Sequence, residues 1–169
     1  GEYRRWNTIE EKTENFNQLI KIQKEAGFIL LKNEHQFIKR DNDSIAILGV
    51  ESWGKPPFKQ YGILDSALKG LTPSMFKILL SHNPSHWDVE IAGKNNIDLT
   101  LAGHTHAMQI GINCGRIFWS SIKKMYPHWA GLYHEGAQYL YVNRGFGFLG
   151  FPGRIGMTPE ITIIQLKTE

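Results

Sequence analysis

His82, His104 and His106 are the residues of this chain whose type and spacing could do chemistry. A neutral imidazole nitrogen is a good donor to transition-metal ions, and three of them in one place suggest a metal centre. They stand at the ends of two short apolar runs. Phe76-Lys77-Ile78-Leu79-Leu80-Ser81 leads into His82-Asn83-Pro84, and Asp98-Leu99-Thr100-Leu101-Ala102 leads into Gly103-His104-Thr105-His106. Runs of this length, stopped by proline or glycine, predict buried strands that end in loops. A residue just past a strand is held by the sheet yet reaches solvent, which is where α/β proteins place their ligands. Extended backbone through His104-Thr105-His106 would point both imidazoles the same way, and Gly103 allows a sharp turn without a Cβ penalty. One such histidine alone would read as a surface residue on a loop; three together read as ligands.

The elements that must position these histidines follow an α/β pattern. Thr8 and Glu11 make a capping box, each side chain able to take a backbone N–H of the other. Ile9, Phe16, Leu19, Ile20 and Ala26 then form an apolar stripe, and Gly27 supplies the stop, which predicts an amphipathic helix. Residues 28–31, 35–40 and 45–50 read as strands, the last two joined into a hairpin by the turn Asp41-Asn42-Asp43-Ser44. Residues 51–62, with Gly54, Pro56, Pro57 and Gly62, must be a loop. A short helix is expected at 65–71, then the strand before His82, a short helix at 85–92 and the strand before His104. Strands at 139–143 and 161–166 close the series. No repeat or low-complexity segment breaks the chain, and 169 residues with 41% hydrophobic content suffice for one domain, residues 1–169, with a sizeable core.

At the histidines the chain resembles a known family. Leu80-Ser81-His82-Asn83-Pro84 followed by Ala102-Gly103-His104-Thr105-His106 is similar to the last two metal motifs of the calcineurin-like metallophosphoesterases. The stretch from Tyr139 through Asn143-Arg144-Gly145-Phe146-Gly147 to Arg154 is similar to the bacterial branch that includes the YkuE-type phosphodiesterases and the lipid A pathway pyrophosphatases. The resemblance runs from about Tyr3 to Leu166. It implies an α/β fold, a β-sandwich flanked by helices. Members begin with Asp-x-His, Gly-Asp and Gly-Asn-His-Asp/Glu motifs, and none of these occurs here. Gly1-Glu2-Tyr3-Arg4-Arg5-Trp6 is similar to the residues just after the third motif in relatives, so the chain is read as the C-terminal portion of a longer enzyme.

The resemblance implies a function as well. His82 and His104 would bind one divalent metal and His106 a second, with His104 and His106 at the catalytic centre. Mixed imidazole and carboxylate ligands suit Mn, Fe, Zn or Co. Two such ions activate a water and neutralise charge on phosphoryl oxygens, so the expected reaction is metal-dependent hydrolysis of a phosphodiester or pyrophosphate bond, lipid- and nucleotide-linked esters included. Without the upstream bridging aspartate, this chain alone is expected to be inactive. Asn83 and Arg144 would face the phosphate if the loops converge, Arg144 through a bidentate fork, with a structural salt bridge as the other reading of Arg144. Two rivals remain: a mononuclear zinc protein with a three-histidine set, and a non-catalytic interaction domain.

Composition excludes rather than selects. The formal charge is +3, the pI about 9.0, and no Lys/Arg block exceeds two residues, which argues against a nucleic-acid footprint. The single Cys114 forms no internal disulfide or thiolate cage. No apolar stretch approaches a membrane span; the resemblance leaves attachment through an N-terminal segment outside these residues open. Gly145-Phe146-Gly147-Phe148-Leu149-Gly150 spells a dinucleotide fingerprint, but Pro152, Gly153, Gly156 and Pro159 forbid the helix that motif must open. It reads instead as a loop across the mouth of the site, with Phe146, Phe148 and Phe151 packed as anchors or meeting an apolar substrate. Around the motifs, His86 reads as a surface residue or a partner to a ligand or carboxylate. Trp53 and Trp87 read as pocket walls, Asp98 as a loop cap, and Tyr126 to Tyr133 as packing, a lid or a partner surface.

Overall fold

The computed structural model describes residues 6–56 and 59–167; the opening residues Gly1 to Arg5, which carry part of the family resemblance, lie outside these. Helix α1 (Ile9–Glu25) leads to the hairpin β1 (Glu34–Arg40) and β2 (Asp43–Gly49). Then come α2 (Leu64–Leu68), β3 (Lys77–Leu80), a π-helical turn (Trp87–Ile91) and β4 (Leu99–Ala102). The ribbon β5 (Ile112–Cys114) and β6 (Ile117–Trp119), the hairpin β7 (Gly131–Glu135) and β8 (Gln138–Val142), and two short 3-10 turns (His106–Gln109 and Ser121–Lys124) complete the described elements.

Six strands form one mixed sheet in the order β1-β2-β3-β4-β8-β7. β2, β3, β4 and β8 run parallel, and β1 and β7 close the two edges antiparallel. The central strands are apolar, as parallel strands are, although Leu80 and Tyr139 stay 41% and 45% exposed. Leu48, Leu79, Leu140 and Val142 are fully buried with Trp87, Ile91 and Ile97 in one core cluster. A smaller cluster gathers Ala107, Ile122, Trp129, Ala130 and Met157 beside it. The sheet accords with the α/β class and with the C-terminal part of a calcineurin-like fold.

Several expectations change. Thr8 caps α1 by accepting from Glu11 N at 3.1 Å, but the Glu11 carboxylate takes the N–H of Asn7, not Thr8. The stripe of α1 buries nothing: Ile9, Phe16 and Leu19 are 78%, 44% and 46% exposed. The hairpin turn is tighter than expected, because Arg40 pairs with Asp43 and leaves two residues at the tip, with Asp41 at φ 52°. Residues 28–31 and 161–166 are not strands. Phe28, Ile29, Ile161 and Ile163 are 65% to 93% exposed, and these segments join no ladder among the described residues. Propensity alone does not make a strand without a partner edge. The β5–β6 ribbon and β7 were not anticipated, since their short stretches lack a clear alternation.

Candidate metal centre

The site sits where three parallel strands end. β3 ends at Leu80, β4 at Ala102 and β8 at Val142, so His82, His104 and Arg144 each stand two residues beyond a strand. The ends are tied laterally. Ser81 N donates to Leu101 O at 3.1 Å, Gly103 N to His82 O at 3.0 Å, and Asn143 N to Ala102 O at 2.8 Å. This lateral bonding brings the His82 and His104 rings edge to face with centroids 5.4 Å apart.

The His-Thr-His segment is not extended, which corrects the sequence reading. His104 (φ 69°) centres a three-residue turn closed by Thr105 N to Gly103 O at 2.8 Å, and His106 (φ 48°) begins a left-handed run through Gln109. Gly103 itself is not left-handed; a Cβ there would rest 3.7 Å from the His82 ring and from Asn143 O. The buried side chain of Thr105 braces the segment, donating to Trp129 O at 2.6 Å and accepting from Ala107 N. The strained conformation, rather than alternation, sets the course of the backbone through His104 and His106.

The His104 and His106 rings each have a polar partner. His104 Nε2 lies 2.8 Å from the Tyr126 hydroxyl, the arrangement by which an outer group fixes a ligating ring. His106 Nδ1 lies 3.5 Å from Arg154 Nη2. Burial, then the positive fields of Arg154 and His82, hold the His106 imidazole below its ordinary pKa, which favours the neutral form that binds metals. Arg154 also donates to Arg144 O and Gly147 O, both at 2.8 Å, fastening the 144–154 loop over His106. Tyr126 had read only as part of an aromatic stretch, and Arg154 had no assigned role; neither contact leaves a local sequence signal.

Arg144 makes the structural ion pair. Its Nε donates to Glu160 at 2.6 Å, while its Nη1 is buried without a hydrogen bond among the described residues. Glu160 also accepts from the Tyr141 hydroxyl, and Thr162 Oγ1 lies 2.9 Å from it. Burial alone would raise the Glu160 carboxyl, but hydrogen bonds from Tyr141, Arg144 and Thr162 outweigh it and hold the pKa at about 2. Asn83 is buried, and its Oδ1 accepts from Ser85 N at 2.9 Å.

Behind His82 lies a buried network. His86, fully buried, places Nδ1 2.8 Å from Ser81 Oγ and Nε2 3.0 Å from Glu90, and Trp53 stacks on it at 4.7 Å. The surface reading of His86 is therefore wrong and the carboxylate partner is found. Burial lowers its pKa against the opposing pull of Glu90. Trp87 is core, not pocket wall. Asp98 Oδ2 accepts from Lys77 N at 2.7 Å, in keeping with a capping role. Phe146, Phe148 and Phe151 are 78%, 63% and 52% exposed, which corrects their reading as packed anchors.

Three imidazoles suit a divalent transition metal, yet among the described residues no group of three or more His, Cys, Asp or Glu is arranged to hold an ion. Two surface clefts, one lined by Gly62 and Glu90 and the other by Tyr139 and Ile164, lie away from the histidines.

Comparison with known proteins bears on the family. The chain is 32% identical over 148 residues to the metallophosphoesterase YkuE of Bacillus subtilis (strain 168), a match covering 85% of this chain and 48% of YkuE. It is 32% identical over 135 residues to a transmembrane protein with metallophosphoesterase domain from Bos taurus, covering 76% and 29% respectively. With a metallophosphoesterase of Helicobacter pylori (strain J99) it shares 37% over 106 residues, covering 61% and 26%. The chain thus spans about half the length, or less, of these relatives. No family model and no solved structure matches it. Among the described residues no helix is long and apolar enough to cross a membrane.

Proposed function

Since the chain belongs to the calcineurin-like metallophosphoesterase family, we propose that it contributes His82, His104 and His106 to a metal centre that hydrolyses a phosphodiester or pyrophosphate bond. The convergence of the His82 and His104 rings past the ends of β3 and β4 carries this reading. His82 and His104 would hold one ion and His106 the second; divalent metals bound there would supply an activated water and neutralise phosphoryl charge. The remaining ligands of a two-metal centre are not among the described residues.

The chain's own groups set the rest of the site. Tyr126 fixes the His104 ring, and Arg154 holds the 144–154 loop against His106. Arg144 is anchored through Nε by Glu160 beside the loop that covers His106, and its remaining guanidinium nitrogens offer the charge a phosphate needs once the buried Nη1 is uncovered. Asn83 shapes the turn after His82 with its carbonyl oxygen bound to Ser85 N, leaving its amide nitrogen for the substrate. The test is hydrolysis of bis(p-nitrophenyl) phosphate with Mn²⁺ by the protein expressed from its complete reading frame. Activity that disappears in His106→Ala is the expected result; no activity with any divalent transition metal would overturn the reading.

A further inference from the structure

Around the histidines the surface is apolar and basic at once. All six residues of the β5–β6 ribbon are exposed, although four of them, Ile112, Ile117, Phe118 and Trp119, are large and apolar. The neighbouring 144–154 loop exposes Phe146 and Phe148. The two are one surface: Arg144 lies over the Phe118 ring at 5.6 Å, and Gln109, three residues before the ribbon, bonds the carbonyls of Phe151 and Gly153. Apolar side chains this concentrated on an exposed face mark an interaction site.

Charge selects the partner. Between Asp98 and Glu160 the chain has one acidic residue, Glu135, against Arg116, Lys123, Lys124, Arg144 and Arg154. The stretch carries +4, whereas residues 1–98 balance thirteen acidic against thirteen basic. Arg116 forms the ribbon's turn, Lys123 and Lys124 end the short 3-10 turn that comes after β6, and all three are exposed with no ion pair among the described residues. An apolar ribbon with Trp119 at its base and Lys and Arg around it fits the headgroup region of an anionic bilayer, where rings enter the acyl boundary and cations meet lipid phosphates.

We propose that the β5–β6 ribbon and the 144–154 loop together dock on the surface of an anionic lipid bilayer, seating the histidine site at the membrane interface. The docking does not depend on the phosphoesterase reading, so either can fail alone. In the protein expressed from its complete reading frame, with any other cysteine replaced by serine, Cys114, exposed at the end of β5, takes an environment-sensitive fluorophore. The expected result is a blue shift on adding phosphatidylcholine vesicles that contain phosphatidylglycerol, reversed by salt. A label on the β1–β2 turn (Asn42→Cys in a Cys114→Ser background) should not respond. Replacing two cations, Lys123→Gln with Lys124→Gln, should weaken partitioning about thirtyfold, roughly fivefold for each charge removed. Four results would each overturn the proposal: no shift, an equal shift with pure phosphatidylcholine, an equal shift at position 42, or a shift produced by raising protein concentration without vesicles, which signals self-association.

Discussion

His104, His106, Ala107, Met108 and Gln109 all occupy left-handed backbone, a conformation costing a residue with a Cβ on the order of 1–2 kcal/mol. The surroundings hold them there: Thr105 bonds Trp129 O, and the Gln109 amide bonds two carbonyls of the 144–154 loop. Met108 (φ 58°) is half exposed and has the least packing to lose. Met108→Gly is therefore expected to stabilise the protein by about 1 kcal/mol, a rise in Tm of about 2–4 °C; an unchanged or lower Tm would count against the strain. Tyr126→Phe should leave the fold intact and weaken metal binding about 10–100-fold, measured by competition with a chelator. The histidines were legible because each ends a short apolar run. Tyr126 and Arg154 were not, since they reach the site from 22 and 48 residues away and no local pattern encodes such contacts.

At the scale of elements, the segment after β8 is fastened by side chains instead of a ladder. Glu160 ties it to Tyr141 and Arg144, and Asn143 Nδ2 donates to Thr162 at 2.9 Å. The strand expected at 161–166 failed because apolar composition was read without a partner edge. Because the folded Glu160 carboxyl titrates near 2, below its ordinary 4.5, its stabilisation is fully present above about pH 4.5 and is lost as pH falls toward 2. Tm measured from pH 7 to 3 should fall more steeply in the native chain than in Glu160→Gln; parallel curves would remove this network from the account. Gly156 (φ 69°) crosses so close to Gly111 that an added Cβ would sit 1.9 Å from Gly111 O. Gly156→Ala should cost several kcal/mol, on the scale of a forced backbone shift, and loosen the loop over His106; chemical denaturation would show it. The parallel strands were legible from continuous apolar runs, whereas the β5–β6 ribbon, exposed on both faces, has no burial pattern to betray it.

For the molecule as a whole, the sequence showed the α/β class and the placing of histidines past parallel strands, because both follow from short buried runs. It did not show which apolar faces stay uncovered. The α1 stripe has helical periodicity, yet periodicity says only that a face is apolar, not that anything packs on it. The aromatic loop was misjudged for the same reason. The central claim is that His82, His104 and His106 form one metal centre. Titration with Co²⁺, followed by its visible absorption, tests this most directly on the protein expressed from its complete reading frame. The account predicts saturable binding that weakens about tenfold or more in each of His82→Ala, His104→Ala and His106→Ala, with circular dichroism unchanged. Binding that survives undiminished in all three variants, or no saturable binding at all, would contradict it.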